Sequence, residues 1–177
     1  MNAGLYGMLA EFETSEQLRA AARTARDAGY RRMDAYSPFP IHGLTEALGS
    51  RPSRLAGLVL AGGALGALSG FGLQYWVSVI AYPLNVGGRP LNSWPSFIPV
   101  TFELTILLAS FAAVLSMIAL NGLPMPYHPV FNVPSFLRAS QDKFFLAIEA
   151  TDPKFDRTKT FDFLQSLGPR EINEVEN

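Results

Sequence analysis

The chain is polar at both ends and apolar in the middle. Between Arg54 and Arg89 there is no charged side chain, and between Arg89 and Arg138 the sole one is Glu103. A bilayer core about 30 Å thick calls for about 20 apolar residues in a helix. Leu55 to Trp76 supplies one such run and Pro99 to Leu120 a second. Lipid offers no hydrogen bonds to bare backbone, so each span must be helical. The pattern predicts a first transmembrane helix over residues 55–82, a loop over 83–98 and a second helix over 99–121.

The polar ends carry a different periodicity. Leu5 to Phe12 is apolar on both faces and reads as a strand. Thr14 and Gln17 have the spacing of a capping box, and Leu18, Ala21, Ala22, Ala25 and Ala28 then recur at helical intervals up to Gly29. Tyr30 to Tyr36 reads as a second, more polar strand. Near the other end, Phe144 to Ala150 is again apolar throughout, and Asp152-Pro153 marks a turn. Thr158 to Leu167 follows as a helix with Phe161, Leu164 and Leu167 on one face, and Arg170 to Val175 as a polar strand. Two βαβ halves, residues 1–45 and 144–177, predict an α+β membrane protein. Its soluble part is a ferredoxin-like βαβ-βαβ domain, with the transmembrane hairpin inserted between the halves. The apolar first and third strands belong in the centre of the sheet and the polar second and fourth at its edges.

The connections Ser37 to Gly43 and 122–143 are rich in proline. Proline favours extended, semi-rigid chain, so they read either as struts or as ordinary surface connections.

Within the first span Gly62, Gly66 and Gly70 are four residues apart and share a face, with Gly63 and Ala67 beside them. Small residues at this spacing let two helix backbones approach closely, which marks a helix-packing interface. The partner is either the second span or another protein. Tyr75, Trp76, Tyr82 and Trp94 cluster at one end of the hairpin, as an interfacial aromatic belt does. Pro99 reads as a helix start, with Glu103 in the first turn. Two readings of Glu103 stand. It is an interfacial carboxylate satisfied by water and the helix dipole, or a proton-path group facing a neighbouring subunit. Arg51 and Arg54 precede the first span and Arg138 and Lys143 follow the second, against Arg89 alone in the loop. Basic residues favour the inside, so both termini are expected in the cytoplasm.

Composition narrows the chemistry. The net charge of -1 gives no reason to expect nucleic acid, and there is no Cys among the 177 residues. Disulfides, Cys-ligated iron–sulfur clusters, thioether-bound haem and zinc–thiolate sites are thereby excluded from this chain. The two histidines, His42 and His128, lie in the proline-rich connections rather than in a span and read as polar linker residues. No nucleophile or carboxylate pair has a catalytic setting, so no catalytic residue is assigned. Two other functional classes make their own demands on the sequence. A homo-oligomeric channel lined through the glycine face would need a continuous polar stripe that the spans lack. A membrane-tethered ligand sensor would need a polar pocket on the domain.

The stretches YSPFPIHGL, VGGRPLNSWPSFIPVTFE, GLPMPYHPVFN and KFFLAIEATDPKFD occur in this order around the two spans. In these the chain resembles the ActD family of alternative complex III, the bacterial quinol:electron acceptor oxidoreductase. The resemblance covers Leu5 to Val175. It implies a non-catalytic subunit of the bacterial inner membrane that binds no cofactor or metal itself. Haem c and iron–sulfur clusters are expected in partner subunits, and the quinol site in large polytopic membrane subunits. The implied role is to support assembly of those membrane subunits and to border a proton path.

Overall fold

A computed structural model describes residues 4–49 and 53–177. Arg51, one of the basic residues used above for orientation, lies outside the described residues. The chain forms two compact units, one of Met1–Arg51 with Pro126–Asn177 and one of Pro52–Met125.

The first unit is built on a four-stranded antiparallel sheet. Its strands are β1 (Leu5–Phe12), β2 (Met33–Tyr36), β3 (Phe144–Glu149) and β4 (Glu171–Glu176), in the spatial order β2-β3-β1-β4. The two apolar strands are central and the two polar ones are edges. β1 and β3 pair from Gly7 opposite Glu149 to Phe12 opposite Phe144. β2 meets β3 with Met33 opposite Ile148, and β4 meets β1 with Ile172 opposite Ala10.

Helices cover one face. α1 (Ser15–Asp27) starts at the predicted capping box: Thr14 accepts from the Gln17 amide and the Gln17 side chain returns to the Thr14 amide. Its Leu18, Ala21, Ala22 and Ala25 are buried against Met8, Ala10, Phe12, Leu146 and Ile148. A stripe this short in side chain lets the helix lie close to the strands. A single-turn helix α2 (Leu44–Leu48), absent from the sequence reading, adds Leu44 and Ala47. The last helix of this unit, Arg157–Ser166, buries Leu164 and Thr160, while Phe161 stays 38% exposed. The expected Phe161 face is therefore rotated. The Thr160 hydroxyl bonds the Tyr30 phenol at 3.2 Å, so a polar residue occupies the inward position.

The second face is covered by the proline-rich connection. Pro129–Asn132 and Pro134–Ser140 form two 3-10 helices, each with proline in its opening turn. Val130, Val133, Phe136 and Ala139 pack on Leu9, Phe145, Ala147 and Val175. This segment is thus neither a strut nor a plain surface connection: it supplies four of the eight buried residues of the core on this face. Phe136 stands edge-on to Tyr36, Phe131 and Phe145 at centroid distances of 4.9, 5.3 and 5.5 Å. This cover explains why β1 and β3 are apolar on both faces apart from Glu11 in β1, which is buried 3.7 Å from the Arg170 guanidinium: both strands are withdrawn from water.

The turn after β3 is fixed by Asp152. Its carboxylate accepts from the amides of Arg31, Arg32 and Lys154 at 2.6, 2.7 and 2.8 Å. Burial alone would raise this carboxyl, but the three amides outweigh it and hold the group below its usual value.

The second unit is a helical hairpin. α3 (Leu55–Tyr75) runs on through a π-helical turn, Trp76–Ala81, and α4 spans Trp94–Leu120. The longer helix starts at Trp94 rather than at Pro99. Pro95 takes the first-turn position, where a missing N–H costs nothing, and Pro99 lies inside the helix.

Native-state hydrogen exchange of the full chain in mild detergent tests this packing. Phe136→Ala should destabilise the central-strand amides by about 3–5 kcal/mol, as expected for loss of a buried phenylalanine, whereas Phe161→Ala should cost under about 1 kcal/mol. Asp152→Ala should cost about 2–4 kcal/mol through its orphaned amides. Because the folded-state value is lowered, the stabilisation from Asp152 is present at neutral pH and fades as pH falls below about 4. Asp152→Asn should lose that acid-dependent component.

Candidate functional site

The hairpin is held by backbone proximity. Gly62, Gly63, Gly66 and Gly70 are the buried residues of α3. A methyl group built on Gly66 would stand 2.3 Å from the Leu104 carbonyl oxygen and 2.7 Å from the Thr105 Cα. One on Gly62 would stand 2.5 Å from the Ala112 methyl, and one on Gly70 3.1 Å from the Thr101 Cα. The glycine face is therefore filled by α4 of the same chain. It neither lines a pore nor leaves a groove for a helix of another protein.

Polar groups on this interface are satisfied within the hairpin. The Gln74 side-chain amide donates to the Phe97 and Gly70 carbonyls at 2.9 and 3.2 Å, tying α3 to α4. Ser69 donates to the Gly66 carbonyl at 3.1 Å and Thr105 to the Thr101 carbonyl at 2.7 Å. Sequence reasoning gave Gln74 no role, although a lone amide in an apolar run is the signal that would have found it. Phe71 and Phe97 meet edge-on at 5.8 Å. Tyr75, Trp76, Tyr82 and Trp94 are all exposed, where α3 ends and α4 begins.

Glu103 is placed differently from the expectation. It is the tenth residue of α4, about 14 Å along the axis, and not in the first turn. The unpaired amides of the helix start and the positive end of the dipole are out of its reach. It is exposed on the side away from Thr101, Thr105 and Ala112, with no hydrogen-bond or ion-pair partner among the described residues.

The sheet unit gathers polar groups at one corner. His128 Nδ1 accepts from the Val130 amide at 3.4 Å, capping the first 3-10 turn, and Nε2 meets the Tyr6 phenol at 3.2 Å. With Nδ1 accepting, the neutral ring carries its proton on Nε2 and donates to Tyr6. His128 is thus a capping residue that joins the covering segment to β1. Burial raises the Tyr36 phenol and the Asp34 carboxyl, and the neighbouring Glu149 raises both further. Tyr36, Ser37, His128, Val130, Phe136 and Ser140 lie among the walls of an open cavity of about 460 Å³. His42 is far in sequence from this corner, and its carbonyl lies 3.5 Å from the Arg19 guanidinium. Among the described residues no three His, Asp or Glu side chains converge as metal ligands.

Residues 6–174 match the sequence family described as the ActD subunit of alternative complex III. The chain belongs to that family. Alternative complex III is an electron-transfer complex, and membership makes this chain one of its subunits, with the other subunits as its partners. No curated protein matches the chain. In this ActD subunit two helices of 27 residues each, Leu55–Ala81 and Trp94–Leu120, are long and apolar enough to cross a membrane.

The glycine contacts give a direct test. Gly66→Ala should force α3 and α4 apart and lower the melting temperature of the detergent-solubilised hairpin by several degrees. Gly57→Ala, whose added methyl would meet open space, should leave it unchanged or slightly raised through helix propensity.

Proposed function

We propose that this ActD subunit is a non-catalytic integral membrane component of alternative complex III. It supports assembly of the polytopic quinol-oxidising subunits alongside the haem c and iron–sulfur subunits. The observation that carries this reading is the family match over nearly the whole chain, joined to two apolar helices of membrane-spanning length. The cysteine-free composition supports placing the redox centres in other subunits.

On this reading both helices cross the cytoplasmic membrane and the aromatic cluster sits at one interface. The sheet unit, reading as ferredoxin-like from its strand order and pairing, lies with both termini in the cytoplasm. Arg54 before the hairpin and Arg138 and Lys143 after it, against Arg89 in the loop, support that orientation. Glu103, the sole charged side chain between Arg89 and Arg138, borders a proton path.

Affinity purification of the tagged chain from membranes in mild detergent should recover haem c proteins that stain on a gel. Recovery of the chain alone would refute its place in the complex. Glu103→Gln should lower the protons moved per quinol oxidised; unchanged coupling and turnover would remove Glu103 from the path.

A further inference from the structure

Glu103 has a physical problem that its own hairpin does not solve. Seven residues before and after it, two helical turns each way, stand Ser96 and Ser110. All three are exposed and share one face of α4. Between them the face presents Pro99, Val100, Ile106 and Leu107, none of which donates a side-chain hydrogen bond. On the membrane-spanning reading proposed above, on which this inference rests, lipid would surround the carboxylate, and a charged group there requires a partner.

We infer that this face of α4 docks a membrane helix of another subunit, which sets a Lys or Arg side chain opposite Glu103. Ser96 and Ser110 bracket the contact, offering hydroxyls to the incoming helix and room for its backbone. Charge complementarity identifies the occupant. A carboxylate among apolar neighbours calls for a cation, and none of the described residues of this chain supplies one. A second copy of this chain fits badly, because a two-fold contact through this face would set Glu103 against Glu103. Family membership supplies other subunits as partners. The glycine face is already occupied by α3–α4 packing, so the outward face of α4 is where a polar anchor remains free.

The test uses the assembled complex in native membranes. The chain has no Cys, so single cysteines carry a benzophenone cross-linker cleanly. Ser96→Cys and Ser110→Cys should give adducts to one and the same partner subunit. Ile98→Cys, which is 53% exposed on another side of the helix, should give none. In parallel, Glu103→Leu and Glu103→Gln should each lower recovery of the complex at least fivefold while the level of the chain in the membrane, read by immunoblot, stays unchanged. Glu103→Asp should retain more than half. A lipid-facing Glu103 predicts the opposite, since leucine there is favourable: full or raised recovery with Glu103→Leu overturns the inference. Full recovery with Glu103→Gln overturns the cationic partner, and lipid adducts alone from both cysteines overturn the docking face. Failure of the membrane-subunit reading looks different, because the unmodified chain would then be missing from membranes and bring down no haem protein.

Discussion

A backbone amide or carbonyl withdrawn from water has to find its partner inside the protein, and both units are answers to that constraint. In the hairpin the backbone bonds run along each helix, apart from the donor that Pro99 lacks inside α4, which leaves the helix surface free to be apolar. In the sheet unit the same need is met sideways, through ladders that place β1 and β3 between other strands. The constraint also decides where side-chain polarity is tolerated. Thr105 and Ser69 bond carbonyls of their own helix, and Gln74 bonds one on each helix. Asp152 is accepted in a buried turn because three amides point at it.

Close approach is the second theme, reached by two routes. α1 lies on the sheet through alanines, and α3 lies on α4 through glycines. A single methyl group at Gly66 would overlap the backbone of α4, so contact there is between main chains rather than side chains. Such packing draws its strength from dispersion across a broad surface.

Much of this was legible in the order of residues. The bounds of β1 and β3 follow from short runs apolar on both faces, α1 from Thr14 and Gln17, and the two long helices from the absence of charge. The glycine spacing signalled a packing face, though spacing alone cannot say which helix fills it. The features that the sequence hides are hidden for physical reasons. The cover over the second sheet face repeats Val130, Val133, Phe136 and Ala139 every three residues, the period of 3-10 turns. The intervening prolines disguise it as linker. The sequence reads the start of α4 at Pro99 because two prolines compete for the first turn, and the structure uses the one that follows Trp94. That shift of five residues changes the meaning of Glu103, since a charge near a helix end has help that a charge further along lacks. The turn α2 is too short for periodicity to reveal.

The strand order has a consequence for how the chain is made. β1, with both of its faces destined for burial, is made before its central neighbour β3, which is synthesised more than a hundred residues later, Met8 finally lying opposite Ile148. Both apolar helices are complete before that partner exists. Folding of the sheet is therefore a closing step, obliged to wait for the hairpin. A ribosome that stalls within α4 leaves an exposed sticky strand for chaperones and proteases to find.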